Sequence, residues 1–348
     1  MATEDALVCV TGATGYIAAF VVQMLLQKGY RVRGTVRSLG SEAKLAPLKA
    51  MEGAERLELV EADLLRPDNF EEVLSGCEVL MHTATPIAFE SYGSEEEAFE
   101  KQINPAVEGT KELWKAAAAA GGKKIVLTSS VAAMRGRDPP PSTLDDTSRS
   151  DLDWLRQILL TKPNVPYLYA KTLQEEVAWE LASEYGIKMV TIHPTLVVGP
   201  RITPRLNDSN RWLLDLVAGR GFVFAPSPEK TIPDAYNGLV DVREVAQSHV
   251  LAMEDEASAG CRFLLYSHSV HLQDIANHMR ASAPELAAKY PEWPMDSSDQ
   301  RGGQAGGEAQ RKSQPVQFDV SKTRALGVDE IPWEDSIAEA ARTVLEAL

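Results

Sequence analysis

Short β-branched apolar runs alternate with stretches of helical periodicity through the first half of the chain, the pattern of βαβ units stacked on a parallel sheet. The runs predict strands over Leu7–Thr11, Arg31–Val36, Leu57–Glu61, Val79–Thr83, Ile125–Ser129 and Met189–Val198. Between the first two, Ile17, Val21, Met24 and Leu25 share one helical face and Gly29 supplies the stop. The Ala-rich stretch Pro105–Ala120 ends at Gly121-Gly122 and reads as a crossover helix. A further helix is expected over Pro166–Tyr185, with Leu173, Val177, Leu181 and Tyr185 at every fourth position and Gly186 behind them.

Past about residue 200 this alternation gives way to loops rich in Pro, Arg and Gly, then to shorter mixed elements around Val240–Glu254 and Cys261–Arg280. The expected class is α/β: a doubly wound parallel sheet over residues 1–200 that also receives part of 237–256, and a smaller C-terminal subdomain over 201–348. Asp299–Pro315 has almost no apolar residue and is expected to be a mobile surface loop.

Composition narrows the function classes. Apolar residues at 44% and charged residues at 24% of 348 fit a globular chain with a sizeable core. A formal charge of −15 repels polyanions, so nucleic-acid binding is not expected. Cys9, Cys77 and Cys261 form no CxxC or metal-ligand spacing, so reduced thiols and no metal are expected. The N-terminus has no signal-peptide pattern and no run approaches a membrane span, which makes a cytosolic monomer or homodimer without membrane contact the expectation.

The chemistry begins after the first strand. Gly12, Ala13, Thr14, Gly15, Tyr16 and Ile17 open the first helix, where glycines let a backbone turn tightly against a pyrophosphate at the positive helix end. At the end of the second strand, Arg37 stands where an acidic residue would select NAD, and with Lys44 it is placed to clamp the 2′-phosphate of NADP. Asp63 and Leu64 follow the third strand, on the adenine side. Thr83, Ala84, Thr85 and Pro86 follow the fourth, on the nicotinamide side.

Tyr167 and Lys171 lie one helical turn apart, so the ammonium favours the phenolate and brings the tyrosine down from about 10 toward general acid–base use. Lys171 is also placed to hold the nicotinamide ribose. A hydroxyl at Ser130 suits donation to a substrate carbonyl. Ser129 and Ser130 point to opposite faces if the strand continues, so one of them faces the cofactor.

In order, TGATGYIA, TVRS, ATP, INPAVEGT, LTSS, YLYAK and HPTLVVGP resemble the extended short-chain dehydrogenase/reductases, in the dihydroflavonol reductase and cinnamoyl-CoA reductase branch, over about residues 5–200 and weakly beyond. The resemblance implies a Rossmann-type domain with a substrate-binding C-terminal subdomain, NADPH as hydride donor, and Ser130, Tyr167 and Lys171 as catalytic residues. It favours Ser130 over Ser129 for that role. It also implies that Pro194, Thr195, Leu196, Val197 and Ser209 run along the cofactor.

The expected reaction is reduction of an aldehyde or ketone. Around the tyrosine the chain lacks the NWYCYGK of cinnamoyl-CoA reductases, and Arg135 stands where dihydroflavonol reductases carry Asn or Asp. Arg201–Ala235 adds apolar Ile202, Trp212, Leu213, Leu216, Phe222, Val223 and Phe224 to a segment with only one net positive charge, which favours a free carbonyl compound over a CoA thioester. Dihydroflavonol reductase and cinnamoyl-CoA reductase are the alternatives within the branch; nucleotide-sugar epimerases and dehydratases are the alternative outside it, and the epimerases usually carry Gly at the position of Ala18 and an acidic residue at that of Arg37. An NADP-binding sensor, the non-enzyme alternative, would normally lose the tyrosine–lysine pair.

Overall fold

In the computed structural model, residues 6–85, 91–220, 231–291, 295–296 and 313–348 are described. Seven strands form one parallel sheet. From one edge they run Leu57–Glu61, Arg31–Val36, Leu7–Val10, Val79–His82, Lys124–Thr128, Lys188–Pro194 and Arg262–Leu265. The strand order reverses between Leu7–Val10 and Val79–His82, the Rossmann-type switch at which open α/β sheets bind ligands. Every residue of the three central strands is buried, because helices cover both faces, whereas the edge strand Leu57–Glu61 is half-exposed.

On one face Leu7, Cys9, Leu80, Ile125, Leu127 and Met189 pack with Leu113, Trp114, Ala178 and Ala182 of the crossover helices. The alternation of strand residues and the three-to-four spacing of helix residues meet there. Helix Tyr16–Gln27 buries Val21 and Leu25 as its sequence predicts, together with Phe20, Val22 and Leu26.

Three expectations are revised. The run Met189–Val198 is two strands: Lys188–Pro194 belongs to the seven-stranded sheet and Leu196–Val198 to a three-stranded one. Pro194 has no N–H for a continuing ladder, and its carbonyl accepts from Val131 N at 3.1 Å. Helix Val165–Tyr185 does not bury the stripe Leu173, Val177, Leu181 and Tyr185. Those residues are partly or fully exposed, and its buried face carries Leu168, Lys171, Gln174, Glu175, Ala178 and Ala182.

The crossover helix expected from Pro105 starts earlier, at Glu95–Ala98, and passes through a π turn over Phe99–Ile103 into Asn104–Ala119. Pro105 lacks the N–H of the regular ladder and its ring crowds the preceding turn, which accounts for the widened register.

The chain divides into two compact units. One comprises Met1–Pro194, Val245–Leu265 and Asp319–Val328, the other Thr195–Glu244, Tyr266–Phe318 and Asp329–Leu348. In the second, Tyr236–Asp241 pairs in parallel with Leu196–Val198 and antiparallel with His268–His271. Leu213, Leu216, Val270, Ile275, Met279, Ile337 and Val344 form its core. The loop expected over 299–315 lies largely outside the described residues.

Candidate active site

Because the seven strands are parallel, their C-terminal ends share one edge, and most residues singled out in the first unit follow those ends, while Lys44, Tyr167 and Lys171 stand on helices. Gly12 has φ +65, and a Cβ there would lie 3.0 Å from the Ala84 side chain; a Cβ on Gly15 would meet Gly12 O at 3.0 Å. These positions keep the turn closed and open a backbone cradle. Helix Tyr16–Gln27 begins at Gly15 with no side-chain cap and no acidic residue in its first turn. Its first-turn N–H groups point out of the helix end, and with the positive dipole end they fit a dinucleotide pyrophosphate.

The turn is tied to its neighbours. Gly12 N donates to Thr35 Oγ1 at 2.9 Å and Ala13 N to Thr35 O at 2.8 Å. Thr11 Oγ1 accepts from Thr83 N and Ala84 N, each at 3.1 Å, and contacts His82 Nδ1 at 3.0 Å. With both lone pairs used, its single proton goes to Nδ1, so His82 carries its own proton on Nε2. Burial, aided by the charge of Lys171, pushes His82 down to about 3. His249, whose Nε2 lies 2.7 Å from Thr128 Oγ1, is pushed by burial to about 4.

Both imidazoles are therefore neutral when folded, while the unfolded chain charges near the ordinary 6.5. The unfolded state binds more protons below that value, so the stability contribution is present above about 6.5 and is lost progressively as pH falls toward the folded values. The thermal midpoint is expected to drop steeply between pH 6.5 and 4, with a shallower drop in His82→Gln. Parallel curves for the two proteins would contradict this assignment.

Arg37, directly after strand Arg31–Val36, and Lys44, on helix Glu42–Lys49, are both exposed. Asp63 accepts from Leu65 N at 3.1 Å and pairs with Arg66 at 3.6 Å, so its carboxylate closes a local turn. Leu64 packs against the sheet core, while Pro86 lies outside the described residues. Ser129 turns inward and donates to Glu175 at 2.7 Å, whereas Ser130 Oγ accepts from Ala132 N at 3.1 Å. The two adjacent serines thus have different partners.

Lys171 Nζ donates to Thr85 Oγ1 at 2.9 Å, Thr128 O at 3.1 Å and Gln174 Oε1 at 3.2 Å. It therefore joins the ends of two strands to its own helix. Burial pushes its ammonium down to about 7, against the opposing pull of the Glu175 carboxylate. Tyr167 lies one turn earlier, packed among Ala132, Leu155, Val165 and Leu168. Burial also lowers Arg135, and the charge of a Tyr167 phenolate opposes that shift, which by reciprocity makes Arg135 a second cation favouring the phenolate.

Pro194 ends its strand in the first unit; Thr195, Leu196, Val197 and Ser209 belong to the second. Ser209 Oγ accepts from Asn207 Nδ2 at 3.2 Å in the first turn of helix Asp208–Val217. Leu213 and Leu216, expected to enclose substrate, are core residues of that unit at 0% and 1% exposure. Phe222, Val223 and Phe224 lie outside the described residues.

Sequence reading missed His82, Glu175 and Arg262 as parts of this environment. The available signal was Glu175 itself, four residues after Lys171 and on the same helical face.

A family model described as "NAD dependent epimerase/dehydratase family" matches residues 8–262. The cinnamoyl-CoA reductase CAD2 of Medicago truncatula is 35% identical over 97% of this chain and 95% of its own length. Tetraketide alpha-pyrone reductase 1 of Arabidopsis thaliana is 33% identical over 97% and 95%. Among solved structures, Gre2 of Candida albicans in complex with NADPH superposes with a TM-score of 0.79 at 27% identity, covering 98% of this chain and 99% of that one. The chain belongs to the NAD dependent epimerase/dehydratase family, the extended short-chain dehydrogenase/reductases, in the branch of the dihydroflavonol and cinnamoyl-CoA reductases.

Proposed function

We propose that this protein is an NADPH-dependent reductase that converts a free aldehyde or ketone to the alcohol, with Tyr167 as proton donor. The observation that carries this reading is the meeting of Lys171, one turn from Tyr167, with Thr128 O at the end of strand Lys124–Thr128, two residues before Ser130, and with Thr85 Oγ1 in the segment after strand Val79–His82. Relatives across nearly the whole chain are named reductases, and a similar structure is a complex with NADPH.

NADPH, when bound, supplies the hydride. The residues assigned to hold it are the Gly12–Ile17 turn, Arg37 and Lys44 for the 2′-phosphate, Asp63 and Leu64, Thr83–Thr85, Ser129, Tyr167 and Lys171, and Pro194–Val197 with Ser209. Ser130 donates a hydrogen bond to the carbonyl oxygen and stabilises the developing alkoxide. Tyr167 gives that oxygen its proton, while Lys171 and Arg135 stabilise the phenolate left behind. A cytosolic location goes with three free thiols, Cys9, Cys77 and Cys261. Among the described residues no helix is long and apolar enough to cross a membrane.

A free carbonyl substrate is favoured over a thioester by the pairing of two basic residues of the segment that begins at Arg201. Arg220 pairs with Asp215 at 2.7 Å and Arg201 with Glu346 at 3.6 Å, so two cations that could meet CoA phosphates have carboxylate partners. Kinetics with NADPH on isovaleraldehyde, cinnamaldehyde and cinnamoyl-CoA test the proposal. The expected result is a specificity constant at least about ten-fold higher for an aldehyde, equivalent to about 1.4 kcal/mol. A higher value for the thioester would reverse the substrate assignment, and no NADPH oxidation with any of them would count against the reductase reading.

A further inference from the structure

We propose that Glu175 is a positioning residue for the Ser130–Lys171 pair: it fixes the strand end that carries the serine and supplies the counter-charge for the ammonium one helical turn away. The inference rests on the reading of Lys171 as part of the catalytic machinery. Glu175 ties three other segments of the chain to its own helix. Its Oε2 accepts from Ser129 Oγ at 2.7 Å and lies 2.7 Å from His193 Nε2, while Oε1 accepts from Arg262 Nε at 2.6 Å and Trp179 Nε1 at 3.2 Å. Arg262 in turn holds Asp146 O at 3.1 Å and Ser148 O at 2.5 Å.

A plain Glu–Arg ion pair would need neither the serine nor the histidine. Here one carboxylate oxygen is directed at the residue adjoining Ser130, so displacement of Glu175 displaces the strand end at which Lys171 also hydrogen-bonds. Burial pushes the Glu175 carboxyl up, but His193, Ser129 and Trp179 outweigh it and hold the group below its usual range, keeping it anionic.

The groups facing Lys171 separate this charge from its surroundings. Thr85, Thr128 and Gln174 offer neutral oxygens, and His82 on strand Val79–His82 is neutral. On its own helix Tyr167 lies one turn before and Glu175 one turn after. Glu175 itself faces the cation of Arg262 and the ring of His193. An anion near a buried ammonium raises the pH at which it deprotonates, so removing that anion lowers it further.

The test uses full-length protein with lysine labelled with ¹³C at Cε, the Lys171 signal being assigned by its loss in Lys171→Met. In Glu175→Gln the Lys171 titration midpoint is expected to fall by about half a pH unit or more, while Glu175→Asp stays nearer wild type. With isovaleraldehyde and NADPH, the alkaline limb of kcat moves down with it. An unchanged midpoint in folded Glu175→Gln overturns the proposal.

Breaking one half of a buried pair endangers folding, so Glu175→Gln/Arg262→Met, which removes both charges, is the second variant; loss of the Arg262 cation offsets part of the effect, so a smaller fall in the same direction is expected. If Lys171→Met keeps full turnover while the midpoint still shifts in Glu175→Gln, the catalytic reading of Lys171 fails and the charge coupling stands.

Discussion

Replacing Tyr167 by Phe is expected to lower turnover by about 10²–10⁴-fold, the range supplied by a positioned general acid, while NADPH affinity changes by less than about three-fold. The ring that packs with Ala132, Leu155, Val165 and Leu168 is retained, so the helix and its Lys171 keep their places. Only the hydroxyl is lost. Its interaction energy is drawn on as the substrate oxygen gains charge, whereas dinucleotide binding is spread over the glycine turn and several strand ends. Steady-state kinetics with isovaleraldehyde and fluorescence titration with NADPH separate the two. Wild-type turnover in Tyr167→Phe would remove the phenol from the mechanism. Loss of both turnover and binding, with an unchanged thermal midpoint, would recast Tyr167 as chiefly a cofactor ligand.

The parallel sheet was legible because its central strands are buried on both faces and therefore read as unbroken apolar runs: Leu7–Val10 and Val79–His82 end one residue earlier than expected, and Lys124–Thr128 is shifted by one residue at each end. The glycine turn was legible for a similar reason, since one short segment contains the whole device. The same logic failed at Met189–Val198, where the apolar run continues across Pro194 although the chain changes sheets there. Apolarity reports burial and does not say against which partner.

The surroundings of the site were less legible, because they are assembled from distant positions. Helix Val165–Tyr185 was expected to turn an apolar stripe inward, yet Lys171, Gln174 and Glu175 are buried. A polar face is buried without large cost only when its hydrogen-bond partners come with it. Those partners sit at Thr85, Thr110, Thr128, Ser129, His193 and Arg262, and no local periodicity links them. His82 escaped notice likewise: its neutrality follows from Thr11, Trp114 and Lys171 closing around it in the fold.

Arg37→Ala is expected to narrow the preference for NADPH over NADH by about ten- to a hundred-fold, since one charge-assisted bond to a phosphate contributes about 1.5–3 kcal/mol. Arg37 follows directly on strand Arg31–Val36, at the C-terminal edge that also carries the glycine turn, and no carboxylate occupies Arg37 or Ser38 to receive a ribose hydroxyl instead. Its exposure limits the effect, because solvent and salt screen a charge that is not enclosed. Lys44, exposed on helix Glu42–Lys49, should act in the same direction with a smaller loss, since an ammonium offers a point charge where a guanidinium offers a planar fork. The comparison needs kcat/KM for both cofactors in wild type, Arg37→Ala and Lys44→Ala at two salt concentrations. If Arg37 binds the 2′-phosphate, the variant loses rate with NADPH, holds its rate with NADH, and becomes less sensitive to salt than wild type. Equal losses with both cofactors would instead mean that Arg37 supports the second strand's loop without reading the phosphate, and the source of NADPH selection would have to be sought elsewhere along that edge.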